Sequence, residues 1–152
     1  MKKLLFLSLL ILGLSLKAEQ PKHVILKSGL SPYFENGLMN LTIGAVTSKN
    51  TYIALETMFG TGKKTVDIVD PYNWYGYGNN IYYGYLINKV YFSGLIGIIN
   101  SSKNYDSRTQ NNVIKLNYGG EIGLILGGIT VSSSYSIPIG LTFKVGFLID
   151  KL

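Results

Sequence analysis

Between residues 114 and 149 apolar and polar side chains alternate in three consecutive segments. Ile114, Leu116, Tyr118, Gly120, Ile122 and Leu124 fall on one side of the first, with Lys115, Asn117, Gly119, Glu121 and Gly123 on the other. A period of two is that of a β-strand, whose successive side chains point to opposite faces. After Gly127-Gly128 the pattern resumes, with Ile129, Val131, Ser133, Tyr135 and Ile137 against Thr130, Ser132, Ser134 and Ser136. After Pro138 it returns with Leu141, Phe143, Val145, Phe147 and Ile149 against Thr142, Lys144, Gly146 and Leu148. Each segment has about ten residues, the length of a tilted strand that crosses a bilayer.

The composition of the two faces decides which way they point. A soluble sandwich needs a charged outer face, but here the polar face is mostly Gly, Ser, Thr and Asn, small residues that suit the inside of a narrow barrel. The Ile, Leu, Val, Phe and Tyr face then meets lipid. Backbone groups in hydrocarbon must all be paired, so a spanning sheet closes on itself.

The rest of the chain supplies five more segments. Residues 23–28 alternate weakly, with Val24, Leu26 and Ser28 against His23, Ile25 and Lys27, and residues 30–37 read as a loop from Ser31-Pro32 and Asn36-Gly37. Strands are expected at 38–47, 51–60, 80–88 and 90–100. The fifth is apolar on both faces, with Tyr91, Ser93, Leu95 and Gly97 assigned inward. Residues 61–78 and 101–111 show no alternation and read as loops. The expected fold is all-β, an eight-stranded antiparallel up-and-down transmembrane β-barrel. Long and short connections alternate, as they do between the outer and periplasmic ends of such barrels, and an even strand number puts both termini in the periplasm.

Composition agrees. Charged residues make up 14% of the 152 residues and hydrophobic ones 47%, against about 25% charged in a typical soluble domain. Glycine, with 18 copies, and tyrosine, with 12, are both abundant. Lys2-Lys3, an apolar run over 4–16 and Ala18 before Glu19 form a secretory signal peptide, giving residues 1–18 as the signal and 19–152 as the barrel domain. Loss of Lys2, Lys3 and Lys17 with it takes the formal charge from +6 to +3, which leaves no basis for a nucleic-acid partner. There is no cysteine, so neither a disulfide framework nor a lipidated N-terminal cysteine is available.

With these segments in place the mature chain resembles the small eight-stranded outer-membrane barrels, the group of the OmpA transmembrane domain, OmpX and OmpW. The resemblance rests on strand pattern and not on a diagnostic motif. It implies an outer-membrane location, contact with outer-membrane lipids and lipopolysaccharide, and insertion by the barrel-assembly machinery, which reads an aromatic C-terminal residue in that group. Here Phe143, Val145 and Phe147 supply the alternating hydrophobics, but the chain runs on to Leu152.

Candidate chemistry is sparse. Glu56, Lys115, Glu121 and Lys144 all fall on the polar face, where two acids and two bases are expected to form a neutral network that plugs the lumen, since an unpaired buried charge is too costly. The alternative is a narrow pore for ions or small solutes. Lys63, Lys64, Tyr72, Trp74, Tyr75, Tyr77, Lys103 and Arg108 fall in the expected outside loops, as contacts for lipopolysaccharide phosphates or a host or environmental surface ligand. Tyr72 to Tyr77, with Tyr82, Tyr83 and Tyr85, also read as an interfacial girdle. The single histidine, His23, has no evident catalytic partner, and with no cysteine no metal site, cofactor or enzymatic role is expected. A third reading, a soluble barrel holding an apolar ligand, requires the Ile/Leu/Phe face to point inward.

Overall fold

The computed structural model describes residues 21–31, 38–64, 72–105 and 109–150, so the predicted signal peptide lies outside the described residues. The strands are β1 (Pro21–Ser31), β2 (Leu38–Thr47), β3 (Thr51–Lys64), β4 (Tyr72–Ile87), β5 (Val90–Tyr105), β6 (Thr109–Leu126), β7 (Ile129–Ile137) and β8 (Gly140–Asp150). Each pairs antiparallel with its neighbour in sequence, and β1 with β8, closing one barrel.

The direction of the side chains follows the alternation. Ile122, Phe143 and Val145 are 51%, 56% and 59% exposed on the outer wall, whereas Glu121 and Lys144 are 4% and 1% exposed inside. The soluble reading, which needs the apolar face inward, is thereby excluded. At β7 the agreement is residue by residue: Thr130, Ser132, Ser134 and Ser136 are buried and the intervening residues face out. In β5, Tyr91, Ser93 and Leu95 are buried as expected, joined by Ile99. The tight turns sit where predicted, and Asn50, Asn88 and Gly127 take left-handed φ values of 62°, 58° and 63° there. Asparagine and glycine adopt that region at least cost.

Three expectations are corrected. The first strand is not confined to 23–28 but runs over Pro21–Ser31, with Ile25 and Lys27 fully inside. The described parts of 61–78 and 101–111 are strand and not loop: β3 continues to Lys64 and β4 begins at Tyr72, while β5 continues to Tyr105 and β6 begins at Thr109. These stretches show no apolar-polar alternation, but their backbone groups pair all the same.

The barrel is consequently uneven in height. β1, β2, β7 and β8 have 11, 10, 9 and 11 residues, and β3 to β6 have 14, 16, 16 and 18. β2 pairs with β3 only as far as Phe59, and β7 with β6 only from Tyr118. Among the described residues only β3 to β6 continue beyond those points, as a four-stranded sheet on the side away from the short turns. At about 3.3 Å per residue, residues 60–64 of β3 extend it roughly 16 Å along the strand.

Candidate functional site: a buried charge network and the sheet above it

The interior is layered. Next to the short turns lies an apolar layer that includes Ile25, Val46 and Leu86, with Ile125 and Leu148 packed against it. At the opposite mouth Leu38, Met58, Ile99 and Ile139 form a second apolar cluster. Ile139 comes from the short β7–β8 connection, which folds its side chain into the mouth and does not stand out as a loop.

Between these layers lie the charges, in alternating order. Lys27 pairs with Oε1 of Glu121, whose Oε2 lies 2.6 Å from Lys144 Nζ; Lys144 in turn lies 2.6 Å from Oε2 of Glu56. Two lysines and two glutamates cancel, and all four are buried. Three tyrosines complete the shell. Lys27 donates to the hydroxyls of Tyr52 at 2.8 Å and Tyr91 at 3.0 Å, and Lys144 to that of Tyr82 at 2.7 Å. Glu56 accepts from the Tyr82 hydroxyl and Asn80 Nδ2, both at 2.8 Å, and from Thr42 at 3.2 Å. Asn117 donates to Asn80 Oδ1 at 2.8 Å, and the hydroxyls of Tyr91 and Thr130 lie 3.4 Å apart. Every one of the eight strands thus contributes a side chain to one connected set. The lysines also lie against ring faces, Lys144 Nζ 4.4 Å from the Tyr82 centroid and Lys27 Nζ 4.8 Å from that of Tyr91.

Glycines make room for these long side chains. Lys27 is opposite Gly146, where a β-carbon would fall 2.7 Å from the lysine's Cγ, and Tyr91 is opposite Gly123, where it would fall 2.0 Å from the ring's Cζ. A narrow lumen can thereby hold lysine and tyrosine side chains at one level.

Of the expected network, Glu56, Glu121 and Lys144 come together and Lys115 does not. Lys115 has the inward parity of Asn117 and Glu121, but it is paired with Ile99 at the level of the upper apolar seal and is exposed. The missing cation is Lys27. It lies on the weakly alternating segment 23–28, on the side of His23 and Ile25. Tyr82, expected in the girdle, is inside, whereas Tyr83 and Tyr85 face out. The expected loop residues lie instead on the protruding sheet. One cross-strand row brings Gly62, Trp74, Lys103 and Asn111 to a level, and another brings Lys64, Tyr72, Tyr105 and Thr109. Lys63 lies between these rows, opposite Asn73. Tyr75 and Tyr77 face outward lower on the sheet, where Asn100 Nδ2 donates to the Tyr77 hydroxyl at 2.7 Å. Arg108 lies outside the described residues. Among the described residues no cluster of His, Cys, Asp and Glu could hold a metal.

No family model and no curated protein matches the chain. Solved structures do. The chain is similar to Ail, the attachment invasion locus protein of Yersinia pestis, in its complex with the heparin analogue sucrose octasulfate, at 12% identity and a TM-score of 0.58 over 84% of this chain and 95% of that one. Ail in a phospholipid bilayer nanodisc gives 12% identity and a TM-score of 0.56 over 84% and 99%. The N-terminal β-barrel domain of Pseudomonas aeruginosa OprF gives 16% identity and a TM-score of 0.50 over 85% and 98%. With its apolar wall turned outward, its backbone paired around a closed ring and its charges inside, the chain has the fold of an eight-stranded outer-membrane barrel.

Proposed function

We propose that this protein acts by contact at the cell surface, through the protruding sheet of β3 to β6, and that its lumen is a structural plug, not a path. The observation that carries the reading is the sheet itself, five or more residues of paired strand beyond the last residue of β3 that β2 covers. A barrel that only needed to sit in the membrane has no use for it. The register sets Tyr72 and Trp74 on one face with Lys64 and Lys103, and Lys63 on the opposite face of the same sheet. Aromatic residues anchor contacts, and lysines form charge-assisted hydrogen bonds with phosphate or sulfate. Ail in complex with sucrose octasulfate is a precedent for a polyanionic ligand on this fold. The ligand class is accordingly a sulfated or phosphorylated saccharide, either lipopolysaccharide or a host polysaccharide. No catalytic step enters this reading.

The apolar layers on both sides of the neutral network support the plug. For the surface role, the refolded protein is passed over immobilised heparin and over lipopolysaccharide. Retention that falls with salt, and drops about tenfold when Lys63, Lys64 and Lys103 are all changed to Gln, is expected. Equal retention of that variant would refute the polyanion reading.

A further inference from the structure

The outer wall of the barrel has a gap between β4 and β7. Across four strands an outward row reads Tyr83, Gly94, Gly120, Tyr135, each opposite the next. The adjacent row includes Phe92 opposite Ile122. The two bare positions leave an open depression of about 580 Å³ in the wall, within the roughly 300–1,000 Å³ of ordinary ligand sites. Tyr83 and Tyr135 form its sides, Phe92 and Ile122 bound it toward the short turns, and the paired backbone of β5 and β6 is its floor.

Packing of the barrel does not require these glycines. A β-carbon at Gly84, Gly97, Gly119 or Gly146 would fall 1.9–2.0 Å from a backbone oxygen, but one at Gly94 would meet nothing within 4 Å, and one at Gly120 only Ser93 O at 3.3 Å. The gap also lies within the lipid-facing belt, flanked by exposed side chains of Tyr83, Phe92, Ile122 and Tyr135. Tyr83 is four residues from the end of β4 and Gly94 four from the start of β5. That is roughly 13 Å along the strand from the short turns, inside the near half of a hydrocarbon core about 30 Å thick.

We propose that this depression is a binding site for one acyl chain of a phospholipid from the leaflet on the side of the short turns. The site is continuous with the lipid-facing belt, and the one charged residue that lines it, Glu121, keeps its carboxylate inside the lumen on Lys27 and Lys144. A flexible chain can lie along a floor of paired backbone that the convex wall of a second barrel would span without filling.

The test uses the refolded full-length mature protein in vesicles of phosphatidylethanolamine and phosphatidylglycerol, doped with phosphatidylglycerol spin-labelled midway along one chain. Electron spin resonance should show, for the wild type, a motionally restricted population that exchanges slowly with bulk lipid. Gly94→Leu, which fills the floor, and Tyr135→Ala, which removes a side, should each speed that exchange at least threefold while leaving the heat-dependent gel shift of the folded barrel unchanged. Only fast-exchanging lipid in the wild type, or unchanged exchange in both variants, would overturn the proposal. So would cross-linking of a second barrel through a cysteine placed at Gly94.

Discussion

The closed part of the barrel and the sheet that rises from it are built from the same strands under opposite rules. Below Phe59 and Tyr118 each strand has oil on one side and a packed polar lumen on the other, so parity is enforced at every residue. Above them only β3 to β6 continue among the described residues, and their sequence keeps the backbone ladder without the alternation of the lower part. The lower part therefore has little freedom to change sequence without losing stability, whereas the upper part can vary its side chains and keep its backbone ladder. A surface that must meet a partner is well placed on the second.

That contrast can be broken from either end. The largest effect is expected at Glu121, which holds both Lys27 and Lys144. Glu121→Ala leaves two buried lysines with one carboxylate, and breaking a buried pair in this way costs about 3–5 kcal/mol. A urea midpoint in lipid vesicles reads it as a large loss. Next is Gly123→Val, whose new side chain would occupy the space of the Tyr91 ring; overpacking of this kind costs about 1–3 kcal/mol, seen as a smaller fall in the same midpoint. Tyr75→Ala, on the exposed face of the sheet, removes only cross-strand contacts and should cost less than about 1 kcal/mol. If Tyr75→Ala destabilised the barrel as much as Glu121→Ala, the two parts would not be governed by different rules.

The same contrast explains what the sequence disclosed. β7 and β8 were legible to the side chain because small or polar residues alternate with Ile, Val, Leu, Phe and Tyr along most of their length, Ser133 and Leu148 excepted. The hairpins around Lys64 and Tyr105 were not, since Gly62, Lys63, Asn73, Ser102 and Asn104 carry no period at all. Within the site, Glu56, Glu121 and Lys144 could be placed by parity alone. Parity also placed Lys115 inside, because a strand keeps its alternation after it leaves the lumen and only the cross-strand level of Ile99 shows where the lumen stops. Lys27 was lost for the converse reason. Val24 and Ile25 blur the alternation of β1, although Ile25 and Lys27 share a face and both are buried. The inward tyrosines have the same ambiguity, since a tyrosine on an alternating strand suits a lipid boundary as well as a lumen that offers lysine and glutamate as partners.

The account turns on whether the neutral network and its two apolar layers seal the lumen. Single-channel recording of the refolded wild-type protein in planar bilayers tests this most directly. The sealed lumen predicts a quiet baseline with no stable open level across the applied voltages, and a persistent, voltage-proportional conductance from the wild type would contradict it.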